Sequence, residues 1–141
     1  MTKWKVSWMM QVIKNLLRAK TVFGLGCLYT LFLTFSLLAP GKGLPSVSIP
    51  FLDKWVHIVA LFVLTYVWLL YRGLSYSKKI TAMQLVFLCF IYGIIIEALQ
   101  HWFTASRTAD VFDVMANGIG CLLGYVVFIK TRNIFISQKS I

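Results

Sequence analysis

Charged residues are scarce in this chain of 141 residues, and only four of them are acidic. They make up 13% of the sequence, whereas roughly 25% is usual in a soluble domain. Hydrophobic residues make up 60%. This balance excludes an ordinary soluble domain and predicts an integral membrane protein in contact with the lipid bilayer.

Cysteine and proline are also rare. The three cysteines, Cys27, Cys89 and Cys121, all lie inside apolar runs, and neither their number nor their spacing fits a disulfide framework or a zinc site. We expect them to pack as small apolar residues. All three prolines fall between residues 40 and 50, where they exclude a helix and predict an extended, ordered connection.

Basic residues give the chain a formal net charge of +10. They stand in short clusters beside apolar runs, as is typical of membrane topology, so we do not expect a nucleic-acid partner. One topology places both termini and the connection near Gly73 on the same side of the membrane. That side then carries Lys3, Lys5, Lys14, Arg18, Lys20, Arg72, Lys78, Lys79, Lys130, Arg132 and Lys139, against Lys42, Lys54 and Arg107 on the other. The positive-inside rule therefore predicts that both termini are cytoplasmic.

Four apolar runs predict an all-α membrane protein with transmembrane helices at about residues 21–39, 53–72, 80–102 and 110–129. Residues 4–18 have the pattern of an amphipathic helix on the membrane surface, although a basic segment preceding the first span explains them equally well. The length of that segment, and Pro40 directly after Ala39, favour an uncleaved first helix over a signal peptide. No repeat or second domain is visible in the sequence, so we expect a single domain over residues 1–141.

Three of the four carboxylates, Glu97, Asp110 and Asp113, lie within residues 97–124, and the fourth, Asp53, opens the second span. Carboxylates this close to hydrocarbon need partners or a purpose. The predicted topology places the four acids in one layer. It puts His57, Glu97, Asp113 and Asn117 one or two turns, roughly 5 to 10 Å at 1.5 Å rise per residue, below the outer surface. The polar residues also share a face on each helix: Asp53 with His57; Glu97 with Gln100 and His101; and Asp110 with Asp113 and Asn117.

Gly120 and Gly124 continue the face of Asp113 and Asn117 further along the fourth span. Small residues let helix backbones approach closely, so these glycines predict helix packing on the face toward the bundle interior. Packing within one chain and packing between chains both remain open, and so does the oligomeric state.

The chain thus carries four separated polar motifs: Asp53-Lys54-Trp55-Val56-His57, Glu97-x-x-Gln100, Arg107, and Asp113-x-x-x-Asn117-x-x-Gly120 followed by Gly124. From Asp53 to about Phe128 they resemble the VanZ-like family of small bacterial membrane proteins, whose founding member is linked to teicoplanin resistance. The segment Thr104-Ala105-Ser106 departs from the Pro-Gly-like turn of many relatives. The resemblance implies a cell-envelope role in the bacterial cytoplasmic membrane, with altered sensitivity to lipoglycopeptides.

The first functional hypothesis is an outward-facing site for an envelope lipid headgroup, a lipid-linked wall precursor or a lipoglycopeptide. Lys54 and Arg107 would meet phosphate or carboxylate groups, and the acids would accept hydrogen bonds from amines or sugar hydroxyls. The candidate binding residues are Asp53, Lys54, His57, Glu97, Gln100, His101, Arg107, Asp110, Asp113 and Asn117.

An enzyme is the second hypothesis, with Glu97 or Asp113 as general base and His57 as its partner. The sequence contains no nucleophile elbow or phosphate-binding loop, and we predict neither a cofactor nor a bound metal ion, although His57, His101, Glu97 and Asp113 form a conceivable ligand set. A buried polar network that fixes helix register is the third hypothesis. A small transporter is the fourth, and it is disfavoured because the ionisable residues are confined to the outer half of the spans.

Overall fold

A computed structural model describes residues 19–38, 52–75, 79–103 and 110–136. These ranges contain four α-helices and no strand: α1 (Ala19–Leu38), α2 (Leu52–Leu74), α3 (Ala82–Phe103) and α4 (Val111–Ile136). All four helices are long and apolar enough to cross a membrane. The prediction of an all-helical fold with four such helices is therefore confirmed, while the surface helix predicted at about residues 4–18 falls outside the described residues.

Side-chain caps set the starts of α3 and α4. Thr81 N donates to Gln84 Oε1 at 2.8 Å and Gln84 N donates to Thr81 Oγ1 at 3.2 Å, which is the reciprocal pattern of a capping box. Asp110 caps α4, because its Oδ1 accepts a hydrogen bond from Phe112 N at 2.9 Å. The two helices therefore begin one or two residues later than the apolar runs alone predict.

At its other end α4 continues seven residues beyond the predicted end at 129, to Ile136. The polar residues after Ile129 do not end the helix, because a helix satisfies its own backbone hydrogen bonds outside hydrocarbon as well as inside it. Thr131 supports this last part: its Oγ1 donates to Val127 O at 2.8 Å and lies 3.1 Å from the Tyr66 hydroxyl of α2.

The most extensive helix interface joins α2 and α4, which run in the same direction. A Cβ atom at Gly120 would collide with the carbonyl oxygen of Ile58, and one at Gly124 would lie 2.8 Å from that of Phe62. The two glycines thus bring the backbone of α4 directly against the backbone of α2 in the same chain. This contact fixes the relative height of the two helices.

The core lies between the helices, and large apolar side chains cover the outside. Leu61 and Leu69 of α2 and Cys121 of α4 are almost fully buried. On the outer faces, Phe35 is 75% exposed and Trp102 is 78% exposed. Apolar exposure on this scale suits helices surrounded by lipid rather than by water.

Hydrogen bonds attach α1 to its neighbours at mid-height. Trp68 Nε1 in α2 donates to Thr30 Oγ1 at 3.2 Å, and the hydroxyls of Thr34 and Tyr92, the latter in α3, lie 2.9 Å apart. Interhelical bonds of this kind hold helices together where the hydrophobic effect gives little drive, because lipid is as apolar as the helices.

Thr65, in α2, is fully buried, and its hydroxyl lies beside the thiols of Cys89 and Cys121, which are weak partners, with no stronger hydrogen-bond partner among the described residues. Thr65→Val keeps the shape of the side chain and removes the weakly paired oxygen, so we expect it to raise the unfolding free energy by about 1 kcal/mol. Denaturation in mixed detergent micelles, followed by circular dichroism, measures the change. A loss of stability would mean that the hydroxyl is bonded in the native protein.

Candidate functional site

Polar side chains gather at one end of the bundle, where α1 and α3 end and α2 and α4 begin. We call this group the polar layer. Its members are Asp53, Lys54, His57, Glu97, Gln100, Asp110, Asp113 and Asn117. Six of these come from the starts of the parallel helices α2 and α4. Residues near the starts of two parallel neighbouring helices lie at similar heights, which brings the six together.

Lys54 is held by two carboxylates of the α4 start. Its Nζ lies 2.6 Å from Asp110 Oδ2 and 2.7 Å from Asp113 Oδ1. The Asp113 side chain is only 7% exposed, whereas that of Asp110 is 37% exposed. The lysine therefore neutralises a carboxylate that has little access to water, which is the situation in which an ion pair matters most.

The pKa of the Asp110 carboxyl is lowered from its ordinary value, first by the hydrogen bond from Lys54 and second by the backbone hydrogen bond from Phe112. Both partners stabilise the charged form. Asp110 thus acts as an ionised helix cap that also receives the lysine of a neighbouring helix.

His57 is 1% exposed, and its Nδ1 lies 3.1 Å from Asn117 Oδ1. An amide oxygen only accepts, so Nδ1 carries a proton and, in the neutral ring, Nε2 presents its lone pair. The other side of the Asn117 amide lies against Gly93, where an added Cβ would sit 3.0 Å from Nδ2. A residue larger than glycine at position 93 would push the amide out of place.

Two carboxylates lie near the imidazole ring of His57. Nε2 lies 4.0 Å from Asp53 Oδ1. One oxygen of Asp53, one oxygen of Asp113 and one nitrogen of His57 all lie within 4.8 Å of one another. Asp53 is exposed, while His57 and Asp113 are buried. One side of this group therefore opens outward.

Glu97 accepts a hydrogen bond from Asp110 N at 3.1 Å through Oε1. Its second oxygen, Oε2, is buried and has no hydrogen-bond partner among the described residues. The hydrogen bond to Glu97 joins the end of α3 to the start of α4. The lone pairs of Oε2 lie inside the protein. A buried acceptor in this state is costly.

Gln100 connects the layer to α1, which the sequence did not indicate. Its Nε2 donates to Leu37 O at 2.8 Å, and the side chain is almost fully buried. The carbonyl belongs to the last turn of a helix, where backbone oxygens lack intrahelical donors. Leu37 carried no signal in the sequence, because only its backbone takes part.

His101 was predicted to share the face of Glu97 and Gln100, but the structure places it at an exposed position beside them. Successive side chains of an α-helix point in directions 100° apart. Gln100 therefore points to α1, whereas His101 points outward. Arg107 lies outside the described residues, as does the Thr104-Ala105-Ser106 segment before it.

An apolar groove of about 380 Å³ runs between α1 and α2 below the layer. It is lined by Tyr29, Leu33, Trp55, Val56, Val59 and Ala60. Ala60 lies on the same face of α2 as Asp53 and His57, at i+7 and i+3 from them. The groove therefore includes part of the α2 face that carries Asp53 and His57.

The charge of the layer is unbalanced among the described residues. Four carboxylates lie there, and Lys54 is the one lysine or arginine among those layer residues. Such a layer favours cations and hydrogen-bond donors over anions.

Comparison of the sequence with models of known protein families identifies the family of this chain. A family model described as VanZ/LLP1 matches residues 3–135. The match covers nearly the whole chain and includes every residue of the polar layer, so the resemblance seen in the motifs is confirmed.

The chain is also similar to an uncharacterized protein of Schizosaccharomyces pombe, with 29% identity over 83 residues. The aligned part is 59% of this chain and 50% of the yeast protein, so it spans about half of that relative. Because this relative is eukaryotic, the similarity does not by itself support the predicted bacterial origin. No solved structure matches the chain significantly.

Proposed function

The chain belongs to the VanZ/LLP1 family, and from this premise and the geometry of the polar layer we propose that it binds a membrane amphiphile. The apolar part of the ligand occupies the groove between α1 and α2, and its headgroup reaches the open side of the layer at Asp53. The observation that carries the proposal is the position of the groove, whose lining residue Ala60 shares a face with Asp53 and His57.

The groove suits an acyl or polyprenyl chain. Its lining is apolar apart from the Tyr29 hydroxyl and the indole of Trp55, and that hydroxyl already donates to Ala60 O at 3.3 Å. Its volume of about 380 Å³ is in the range of small-molecule sites. Ligand pockets of this kind bind the apolar body and leave orientation to a few polar groups at one end.

In the described part of the polar layer, the headgroup meets carboxylates rather than an unengaged lysine or arginine. Lys54 is engaged by Asp110 and Asp113, so a phosphate of the ligand would have to displace one of them. Amines and sugar hydroxyls instead donate directly to carboxylate oxygens. This chemistry fits an aminated lipid headgroup, a sugar-bearing lipid-linked wall precursor, or the amine and sugars of a lipoglycopeptide such as teicoplanin.

We place the layer at the outer surface of a bacterial cytoplasmic membrane, with both termini inside. The support is the excess of Lys and Arg on the opposite side. Binding there would reach wall precursors and glycopeptides where they act, and so alter antibiotic tolerance.

Two substitutions test the binding. Val59→Trp fills the groove, and Asp53→Asn keeps the shape of the side chain while removing the negative charge of a headgroup acceptor. The full chain is incubated in detergent with equal amounts of phosphatidylethanolamine and phosphatidylglycerol, and bound lipid is counted by native mass spectrometry. We expect a preference for the amine lipid, and a roughly fivefold loss in each variant, as follows from about 1 kcal/mol per lost contact.

Leu122→Trp is the matched control, because Leu122 faces outward on α4, 59% exposed, away from the groove residues. Equal retention of both lipids by the wild type and all variants would disprove the proposal. In cells that express the chain, Arg107→Ala and Asp53→Asn should lower teicoplanin tolerance at unchanged membrane abundance.

The closed contacts of Lys54 favour a second candidate, a layer that only fixes the packing of the helices. In that case Arg107→Ala and Asp53→Asn would lower abundance in the membrane, and tolerance would fall only in proportion to it.

A further inference from the structure

We propose that Asp53, His57 and Asp113 form a binding site for a divalent transition-metal ion, with zinc as the preferred ion. The three residues offer one ligand atom each, and these atoms lie within 4.8 Å of one another. The sequence predicted no bound metal ion, and the ligand set that it made conceivable was a different one, because it could not show that α2 and α4 run side by side. The inference is independent of the proposed function, since cation binding requires no lipid.

The histidine is oriented for a metal. Asn117 Oδ1 accepts the proton of Nδ1 at 3.1 Å, so Nε2 of the neutral ring carries a lone pair. Nε2 has no hydrogen-bond partner among the described residues, lies 4.0 Å from Asp53 Oδ1, and belongs to a side chain that is 2% exposed. This lone pair is available to a cation that also binds the Asp53 carboxylate.

The surroundings have the features of an outer coordination shell. Metal-bound histidines donate their other N–H to a fixed acceptor, and metal-bound carboxylates are themselves hydrogen-bonded. Asn117 performs the first role and is held in place against Gly93. Lys54 performs the second by binding Asp113 Oδ1 at 2.7 Å, which leaves the other oxygen of that carboxylate for the ion.

Ligand chemistry selects the ion. Calcium and magnesium prefer oxygen ligands alone, whereas an imidazole nitrogen with carboxylates suits zinc. Tetrahedral zinc with bonds of about 2.0 to 2.2 Å needs ligand atoms roughly 3.3 to 3.6 Å apart. Asp53 is half exposed and can close the remaining distance by a change of rotamer. Three protein ligands leave the fourth position to water or to an oxygen from outside.

Zinc binding to the purified full chain tests the site. The protein is stripped with a chelator in detergent, and zinc is titrated against a chromophoric competitor in the absence of added lipid. We expect about one zinc ion per chain, and at least a tenfold loss of affinity in His57→Gln and in Asp53→Asn. His101→Gln is the control, because the chain has two histidines and His101 lies at an exposed position outside the group.

Thermal unfolding separates loss of the site from loss of the fold. Zinc should raise the melting temperature of the wild type and of His101→Gln, because a ligand that binds the folded state stabilises it. Added zinc should not raise the melting temperature of Asp53→Asn above that of the zinc-free wild type. Wild-type affinity in Asp53→Asn, an equal loss in His101→Gln, or equal binding of magnesium would each overturn the proposal.

Discussion

Replacing Lys54 with methionine should destabilise the protein by about 3 kcal/mol. The substitution leaves the Asp113 carboxylate, which is 7% exposed, without the ammonium that lies 2.7 Å from it. An unpaired buried charge costs more than the 1 to 3 kcal/mol of a neutral unsatisfied group. The more exposed Asp110 is solvated by water and adds little.

The measurement is unfolding in mixed micelles at pH 7. Asp110 is ionised there, since its pKa is lowered in the folded protein. Its contribution to stability is present above the pKa of the unfolded chain, and it is lost only as the pH falls through the lower folded pKa. Neutral conditions therefore test the complete ion pair.

Lys130→Met is the control for loss of a positive charge, because Lys130 is exposed on α4. The double variant Lys54→Met with Asp113→Asn should recover most of the lost stability, since no buried charge then remains unpaired. Equal effects of the Lys54 and Lys130 substitutions would show that the ion pair contributes nothing beyond net charge.

Gly120→Ala should be the most damaging single-methyl change in the described part of α4. The added Cβ collides with the Ile58 carbonyl oxygen and lies 3.1 Å from Phe62 N. These are backbone atoms, so α2 must move as a whole. We expect a loss of about 3 kcal/mol, at the upper end of the range for overpacking.

The same displacement should open the polar layer, because Asn117 and His57 belong to the two helices that are forced apart. Gly24→Ala is the matched control. No atom lies within 4 Å of the Cβ that it would add, and alanine favours a helix by about 1 kcal/mol over glycine. Unfolding free energies compare the two, and a neutral Gly120→Ala would mean that α2 and α4 are not in backbone contact.

The four helices of the described residues could be predicted from the sequence, because each apolar run is long enough to cross a membrane. Their ends were less predictable. Thr81 and Asp110 cap the helices that follow them, and a cap depends on the local backbone as well as on residue type. The extension of α4 past Ile129 was missed because hydropathy reports membrane depth and not helicity.

The candidate site was predicted in its depth but not in its pairings. One hypothesis gave Lys54 a ligand and another gave it carboxylate partners inside the layer; in the structure it binds Asp110 and Asp113. Gln100 was expected to face the carboxylates, whereas it binds the last turn of α1. Spacing along one helix gives the relative height of its residues, but it does not say which neighbour they meet.

The sequence by itself determined the four apolar helices, the family, and the common level of the polar residues, because all three follow from local composition and a rise of 1.5 Å per residue. Only the tertiary structure decided that the layer closes around Lys54 and brings His57 together with Asp53 and Asp113. The physical reason is the backbone contact at Gly120 and Gly124, which fixes the height and rotation of α4 against α2 and so chooses the partners.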